Sequence, residues 1–355
     1  MHILDQIKKI EKLDQKHMHQ LLVSFPSQLD RSITLTHSFP LPNWKNFKFG
    51  NLVLAGMGGS AIGGDLVRSY LSYQLKIPFQ ICRHYLLPNF VTKNSSVLVS
   101  SYSGNTEETL SAYALARKRK AKIIAITSGG KLFQLAKKDK VPVLLIPGGL
   151  PPRAALGYSF GPWLILLSRL GLIKNQTALL KETVSFLAKQ MVKYEKSTTT
   201  SKNQAKRLAE RLYQKIPIIY SGCDCFDAVA TRWKQQICEN AKNLAFVNFF
   251  PEFNHNELVG WQNKENSKHE FVVLFLKDKD DHKRVKARME IVKGIIKKQK
   301  IEVIEIESQG KSLLSRMFYL IQLGDWTSFY LAMLNGVDPT PIKVIDYLKY
   351  QLERI

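Results

Sequence analysis

The run Asn51-Leu52-Val53-Leu54-Ala55 passes directly into Gly56-Met57-Gly58-Gly59-Ser60-Ala61-Ile62-Gly63-Gly64-Asp65. A short apolar run of this kind predicts a buried strand, and the helical spacing over Gly63–Gln74 makes the glycines a strand-to-helix turn. Glycine density there lets backbone amides approach a ligand, and the helix start favours an anion. Gly56, Gly58 and Ala61 nearly fit the dinucleotide frame G-x-G-x-x-G/A. That fingerprint needs an acidic residue about twenty positions on, at the end of the next strand. Phe79-Gln80-Ile81-Cys82-Arg83 offers none, and Arg83 leaves open only a phosphorylated cofactor. The G-K-[ST] ending of a nucleotide P-loop is also missing.

Outward from this turn, strand and helix patterns alternate. Ser96–Ser100 is apolar, and Thr106–Lys120 has helical spacing. Lys122–Thr127 and Val141–Ile146 bracket a helical segment at Lys131–Lys138. The second half repeats the plan. Ile216–Tyr220 leads through Ser221-Gly222 into Asp227–Asn240, and Phe271–Leu276 and Ile301–Ile306 flank the helix His282–Lys298. This alternation predicts βαβ units on parallel sheets in two similar α/β domains. Five segments are expected: a helical lead-in over 1–45 with an irregular stretch holding Pro26, Pro40 and Pro42; a first α/β domain over 46–158; a helical linker over 159–205; a second domain over 206–310; and C-terminal helices over 311–355. Leu313–Asn335 and Pro341–Glu353 are the two expected terminal helices, joined by Gly336–Thr340.

A second loop decides what the first one holds. Ser101-Tyr102-Ser103-Gly104-Asn105-Thr106-Glu107-Glu108 also follows a strand and opens a helix. Ser101, Ser103 and Thr106 set three hydroxyls around a turn that Gly104 permits. Hydroxyls and amides at a helix start form a phosphate cradle that needs no metal. A plain helix cap needs one hydroxyl, so three of them, opposite another glycine loop, point to a ligand.

Bulk properties bound the rest. A chain of 355 residues with 45% hydrophobic and 23% charged residues is an ordinary globular one, long enough for two cores. No stretch approaches the roughly 18 apolar residues of a membrane span. The charged start MHILDQIKKIEKLDQK lacks a signal-peptide core, so a cytoplasmic protein is expected. Cys82, Cys223, Cys225 and Cys238 lack the CxxC spacing and are expected to be free thiols. The formal charge of +23 is spread along the chain, and its runs, such as Arg117-Lys118-Arg119-Lys120, fall at expected helix C-termini. No nucleic-acid-binding signature accompanies it, so a nucleic-acid partner is not expected. A positive field would draw in a dianionic sugar phosphate.

The segments GMGGSAIGGD and SYSGNTEETL resemble the sugar isomerase (SIS) domain. Pro151-Pro152-Arg153-Ala154-Ala155-Leu156-Gly157, Glu239-Asn240 and Phe253-Asn254-His255-Asn256-Glu257 extend the resemblance, from about residue 45 to the C-terminus, to the bifunctional phosphoglucose/phosphomannose isomerases. That resemblance implies two doubly wound SIS-type domains with parallel central sheets and helices on both faces, plus C-terminal helices. It implies interconversion of glucose 6-phosphate, and of mannose 6-phosphate as well, with fructose 6-phosphate, without cofactor or metal. By resemblance Gly59, Ser60, Ser101, Ser103 and Thr106 bind the phosphate.

Isomerisation through an enediolate needs a carboxylate base, a group that stabilises negative charge, and an acid/base pair for ring opening. The resemblance assigns Glu239 as the base between C1 and C2, Arg153 as the enediolate's cation, and His255 and Lys349 to ring opening. Lys343, two turns earlier, rivals Lys349, and Thr340 is the candidate that leaves room at C2. In related isomerases the histidine reaches the neighbouring subunit's site, which implies a homodimer. Glu252 and Glu257 flank His255, so a metal site is a rival there, with an incomplete ligand set. A non-catalytic sugar-phosphate sensor and an NADP-dependent dehydrogenase are the alternatives. A sensor has no use for Glu239, Arg153, His255 and Lys349 together.

Overall fold

The computed structural model describes residues 2–44, 47–263, 265–266, 270–352 and 354. The expected boundary at 45–46 and the expected helix end at Glu353 lie outside the described residues. The chain opens with α1 (Ile7–Leu13), α2 (Met18–Val23) and α3 (Phe25–His37). It continues as β1 (Asn51–Gly56), α4 (Gly58–Tyr70), β2 (Phe79–Cys82), β3 (Ser95–Ser100), α5 (Glu107–Lys118), β4 (Lys122–Thr127), α6 (Gly130–Lys138) and β5 (Val143–Leu145). Helices α7 (Leu156–Arg169), α8 (Thr177–Tyr194) and α9 (Gln204–Leu212) follow. The rest is β6 (Ile216–Gly222), α10 (Asp227–Ala241), β7 (Phe246–Phe250), β8 (Phe271–Lys277), α11 (Lys283–Lys298), β9 (Glu302–Glu307), α12 (Leu313–Leu334) and α13 (Lys343–Leu352).

Two compact units result. One holds residues 24–188 with 312–315; the other holds 1–23, 189–311 and 316–355. These bounds cut across the five expected segments: α1 and α2 group with the second sheet, and α3 with the first.

The first unit's sheet is parallel, in the order β2-β1-β3-β4-β5. The second unit's sheet is parallel too, in the order β7-β6-β8-β9. In each, the order reverses beside the first strand, so right-handed crossovers set helices on both faces. Parallel strands covered on both faces read as continuous apolar runs, as β1 and β8 do. Val53, Val97, Val99 and Ile123 pack with Ala112, Tyr113 and Ala116 of α5 and with Leu132 and Ala136 of α6. Val273 and Phe275 pack with Met289, Val292 and Ile296 of α11. Each fully buried Val, Ile or Phe contributes about 1.5–3 kcal/mol to its core.

Two local expectations change, and one strand is added. Helix α4 begins at Gly58 and not at Gly63. Glycine is a poor helix former, but Gly63 lies against the Ser159 carbonyl of α7, where a Cβ has no room, and that packing outweighs propensity. Pro26 belongs to the first turn of α3 and not to an irregular stretch; its missing N–H costs nothing there. The added strand is β7, the aromatic run Phe246–Phe250 at the sheet's edge.

Candidate active site

In the first unit the strand order reverses between β1 and β3, whose ends Gly56 and Ser100 are register partners. Ligands of open α/β sheets bind at such a switch point. The glycine turn and the hydroxyl loop both start there. Ser60 is buried in the first turn of α4, and its Oγ accepts the Tyr102 N–H at 3.0 Å, which joins the two loops. Ser101 Oγ donates to Thr106 Oγ1 at 3.0 Å and accepts the Gly104 N–H at 3.1 Å. Ser103 Oγ accepts the Asn105 N–H at 3.2 Å, and the Ser103 side chain is otherwise exposed. Thr106 is the N-cap residue of α5, yet makes no side-chain cap bond, because its hydroxyl faces Ser101. No acidic side chain stands in the first turn of α4, whereas α5 carries Glu107 and Glu108. The α4 start is therefore the more favourable of the two for an anion.

Arg153 lies in the 3-10 turn Pro152–Ala154 and is only 4% exposed, so it is not a surface-loop arginine. A Cβ on Gly59 would come within 2.7 Å of the Pro152 carbonyl carbon and 2.9 Å of Arg153 N. Glycine at 59 thus lets the arginine's backbone settle on the start of α4. Gln28 Nε2 donates to Ala154 O at 2.9 Å from the other side. The first unit therefore brings together Gly59, Ser60, Ser101, Ser103, Thr106 and the backbone of Arg153.

Residues that the sequence reading passed over complete this cluster. Tyr102 O accepts the Ser128 N–H at 3.0 Å and Ser128 Oγ–H at 2.7 Å, so Ser128-Gly129-Gly130 forms a third loop beside the hydroxyl loop. Asn105 Oδ1 accepts the Lys131 N–H at 3.0 Å across the same seam. The serine-glycine-glycine run before an apolar helix face was the available signal. Arg83, the residue left open for a cofactor phosphate, is paired with Asp65.

Glu239, His255 and Lys349 belong to the second unit and stand on three separate elements. Glu239 is half-buried in the last turn of α10. That helix is fastened to α12 along one stripe, Arg232, Gln236 and Asn240, at successive i+4 positions. Arg232 donates to both Asp325 oxygens at 3.1 and 2.7 Å, Gln236 Nε2 to Asp325 Oδ1 at 3.0 Å, and Asn240 Nδ2 to Ser328 Oγ at 2.9 Å. The end of α10 is closed by Lys242, whose Nζ donates to the carbonyls of Glu239 at 2.5 Å and Pro339 at 3.0 Å. Asn335 Nδ2 adds a bond to Ala241 O at 2.9 Å. The backbone under Glu239 is fixed, and so is the approach to the half-buried Thr340.

His255 is exposed at the end of the 3-10 turn Glu252–His255. Phe253 anchors that turn by stacking on Tyr220 at 4.2 Å between centroids. The flanking glutamates are engaged: Glu257 accepts from Tyr220 OH and from Asn248 Nδ2 at 2.6 Å, and Glu252 Oε1 accepts from Asn256 at 3.1 Å. Lys349 is exposed on α13, as is Lys343.

Residues 201–352 match the family model described as the bacterial phospho-glucose isomerase C-terminal SIS domain. The bifunctional phosphoglucose/phosphomannose isomerase of Caldicellulosiruptor bescii is 46% identical over 338 residues, covering 95% of this chain and 99% of that one. The chain belongs to the bifunctional phosphoglucose/phosphomannose isomerase family. It is therefore an enzyme of the intramolecular oxidoreductase class. The family's protein of that name from Aquifex aeolicus is 37% identical over 85% of this chain and 90% of its own. In fold, the chain is similar to a glucose-6-phosphate isomerase like protein from Thermus thermophilus, with a TM-score of 0.64, 18% identity and 99% coverage of both chains.

Proposed function

We propose that this enzyme interconverts glucose 6-phosphate and mannose 6-phosphate with fructose 6-phosphate in the cytoplasm, with no metal or cofactor. One observation carries the reading: two donor-rich loops and a buried arginine's backbone converge at the switch point of the first unit's sheet. Amides and hydroxyls of Gly59, Ser60, Ser101, Ser103 and Thr106 bind the phosphate dianion. Glu239 takes the proton from C2 of the open-chain aldose and returns it at C1. Arg153 stabilises the negative charge that develops on the enediolate oxygens. His255 and Lys349 move the protons that open the ring. C2 is trigonal in the enediolate, so a single intermediate serves both the glucose and the mannose isomers.

The working form in this proposal is a homodimer in which His255 serves the neighbouring site. Its support is the exposure of His255 and of α13, which displays Val344, Tyr347 and Leu348 and buries none of its residues. A ten-residue helix has little stability without tertiary packing.

The test is to mix purified protein with each aldose phosphate and follow fructose 6-phosphate, before and after exhaustive chelation. Activity on both sugars that survives EDTA is expected; loss with EDTA and recovery on adding zinc overturns the metal-free reading. Mixing Glu239→Gln with His255→Ala subunits should regain activity, because one hybrid site then holds both native residues. No regain overturns the donation of His255.

A further inference from the structure

We infer that Tyr102 is a positioning residue that couples the phosphate loops to Arg153: its amide holds the phosphate side and its hydroxyl holds the loop leading to the arginine. The inference rests on the isomerase reading above and goes beyond it.

Tyr102 stands between Ser101 and Ser103, yet the residue is only 9% exposed. Its hydroxyl donates to Pro147 O at 2.9 Å and accepts the Leu150 N–H at 3.0 Å. It thereby clasps both ends of Pro147-Gly148-Gly149-Leu150, the segment that runs straight into Pro151-Pro152-Arg153. Two consecutive glycines, one at φ +85°, make that segment the most pliable part of the approach. Beyond it, the far side of the Arg153 turn is held by the Gln28–Ala154 bond and the contact at Gly59. At the same time the Tyr102 N–H is spent on Ser60 Oγ, and its carbonyl on Ser128. One rigid phenol therefore sets the spacing between the phosphate-binding loops and the base of the arginine.

A direct chemical role does not fit. The hydroxyl's one proton is committed to Pro147 O, and burial pushes the phenol up from its ordinary value, so it stays protonated. The effect has to pass through Arg153. A cation displaced by a fraction of an ångström loses transition-state stabilisation while the remote phosphate is still bound as before.

Tyr102→Phe removes the clasp and keeps the ring. The expected result is a kcat lower by roughly ten- to a hundredfold, with KM for glucose 6-phosphate and inhibition by inorganic phosphate within about twofold. In an Arg153→Lys background the same change should cost no more than about twofold further, because the two residues act as one unit. Hydrogen exchange at 148–153 should speed up in Tyr102→Phe at a temperature where melting curves show both proteins fully native. Multiplying losses in the double variant, a KM effect with normal kcat, or unchanged exchange at 148–153 overturns the inference. A wild-type enzyme inactive on every hexose phosphate would instead overturn the isomerase reading, and the exchange measurement still decides whether the clasp exists.

Discussion

The crevices at the carboxyl ends of the two sheets have the same topology and opposite chemistry. In the first unit, β1 and β3 run into Met57-Gly58-Gly59-Ser60 and Ser101–Thr106, which present amides and hydroxyls. In the second, β6 and β8 run into Cys223-Asp224-Cys225-Phe226 and Asp278-Lys279-Asp280-Asp281. Carboxylates there already occupy the place of an anion. Asp227 opens α10 and answers the helix dipole itself. Burial and then the neighbouring carboxylates push the Cys225 thiol up to about 11, and burial pushes Asp281 up to about 6. Arg316 is consumed by the same cluster, donating to Asp278 Oδ2 at 2.7 Å and to Asp280. A phosphate dianion would meet like charge at this second switch point. The fold is thus a scaffold used twice, and the proposed phosphate capture belongs to the loops that carry glycine and hydroxyl groups.

If the first unit captures the phosphate and the second moves the proton, substitutions at those groups should split by unit, with Arg153 and its support the first unit's share in the chemistry. The largest effect belongs to Glu239→Gln, which keeps the size of the side chain but cannot accept the proton. Its kcat should fall by on the order of a thousandfold, while titration calorimetry with glucose 6-phosphate finds near-normal affinity. Normal turnover would erase the division of labour.

His255→Ala tests the same unit more finely. Its rate should drop on the order of a hundredfold with cyclic glucose 6-phosphate and far less with an open-chain analogue. Equal losses on both would remove His255 from ring opening and leave Lys349 as the candidate.

Ser103→Ala and Thr106→Ala probe the first unit. Each should raise KM about tenfold with little change in kcat, since the phosphate is bound alike in ground and transition states. A fall in kcat with unchanged KM would remove these two hydroxyls from phosphate binding.

Asp281→Asn is the smallest effect and concerns stability alone. A carboxyl raised to about 6 costs stability when ionised, and most of that cost comes from burial. The asparagine retains an acceptor for the Asp278 N–H, which Asp281 accepts at 2.8 Å. The variant should therefore be more stable by about 1 kcal/mol above pH 6. The gain should fade as pH falls from about 6 towards the ordinary carboxylate range, where the wild-type group is protonated in both states. Melting curves at pH 7.5 and pH 4 check it, and a gain that persists at pH 4 would show that the second crevice is not electrostatically crowded.

Local signals were enough for much of this protein. Apolar strand runs, the 3.6-residue spacing of α5, α10 and α11, and the hydroxyl and glycine content of two turns are written in neighbouring residues. They announce parallel α/β sheets and two donor-rich turns because each depends only on backbone sterics and short-range donors. The family motifs supplied Glu239, His255 and Lys349 as names, without a reason for their placement. Three things waited for the folded chain. Helix α4 starts at Gly58 because α7 presses on it. Arg153, in a proline-rich loop, is buried. Tyr102, an unremarked residue between two serines, ties three loops together. Each depends on a partner some forty or more residues distant, Ser60, Pro147 and Ser159 among them, and the close approach of such partners leaves no periodic trace in the chain.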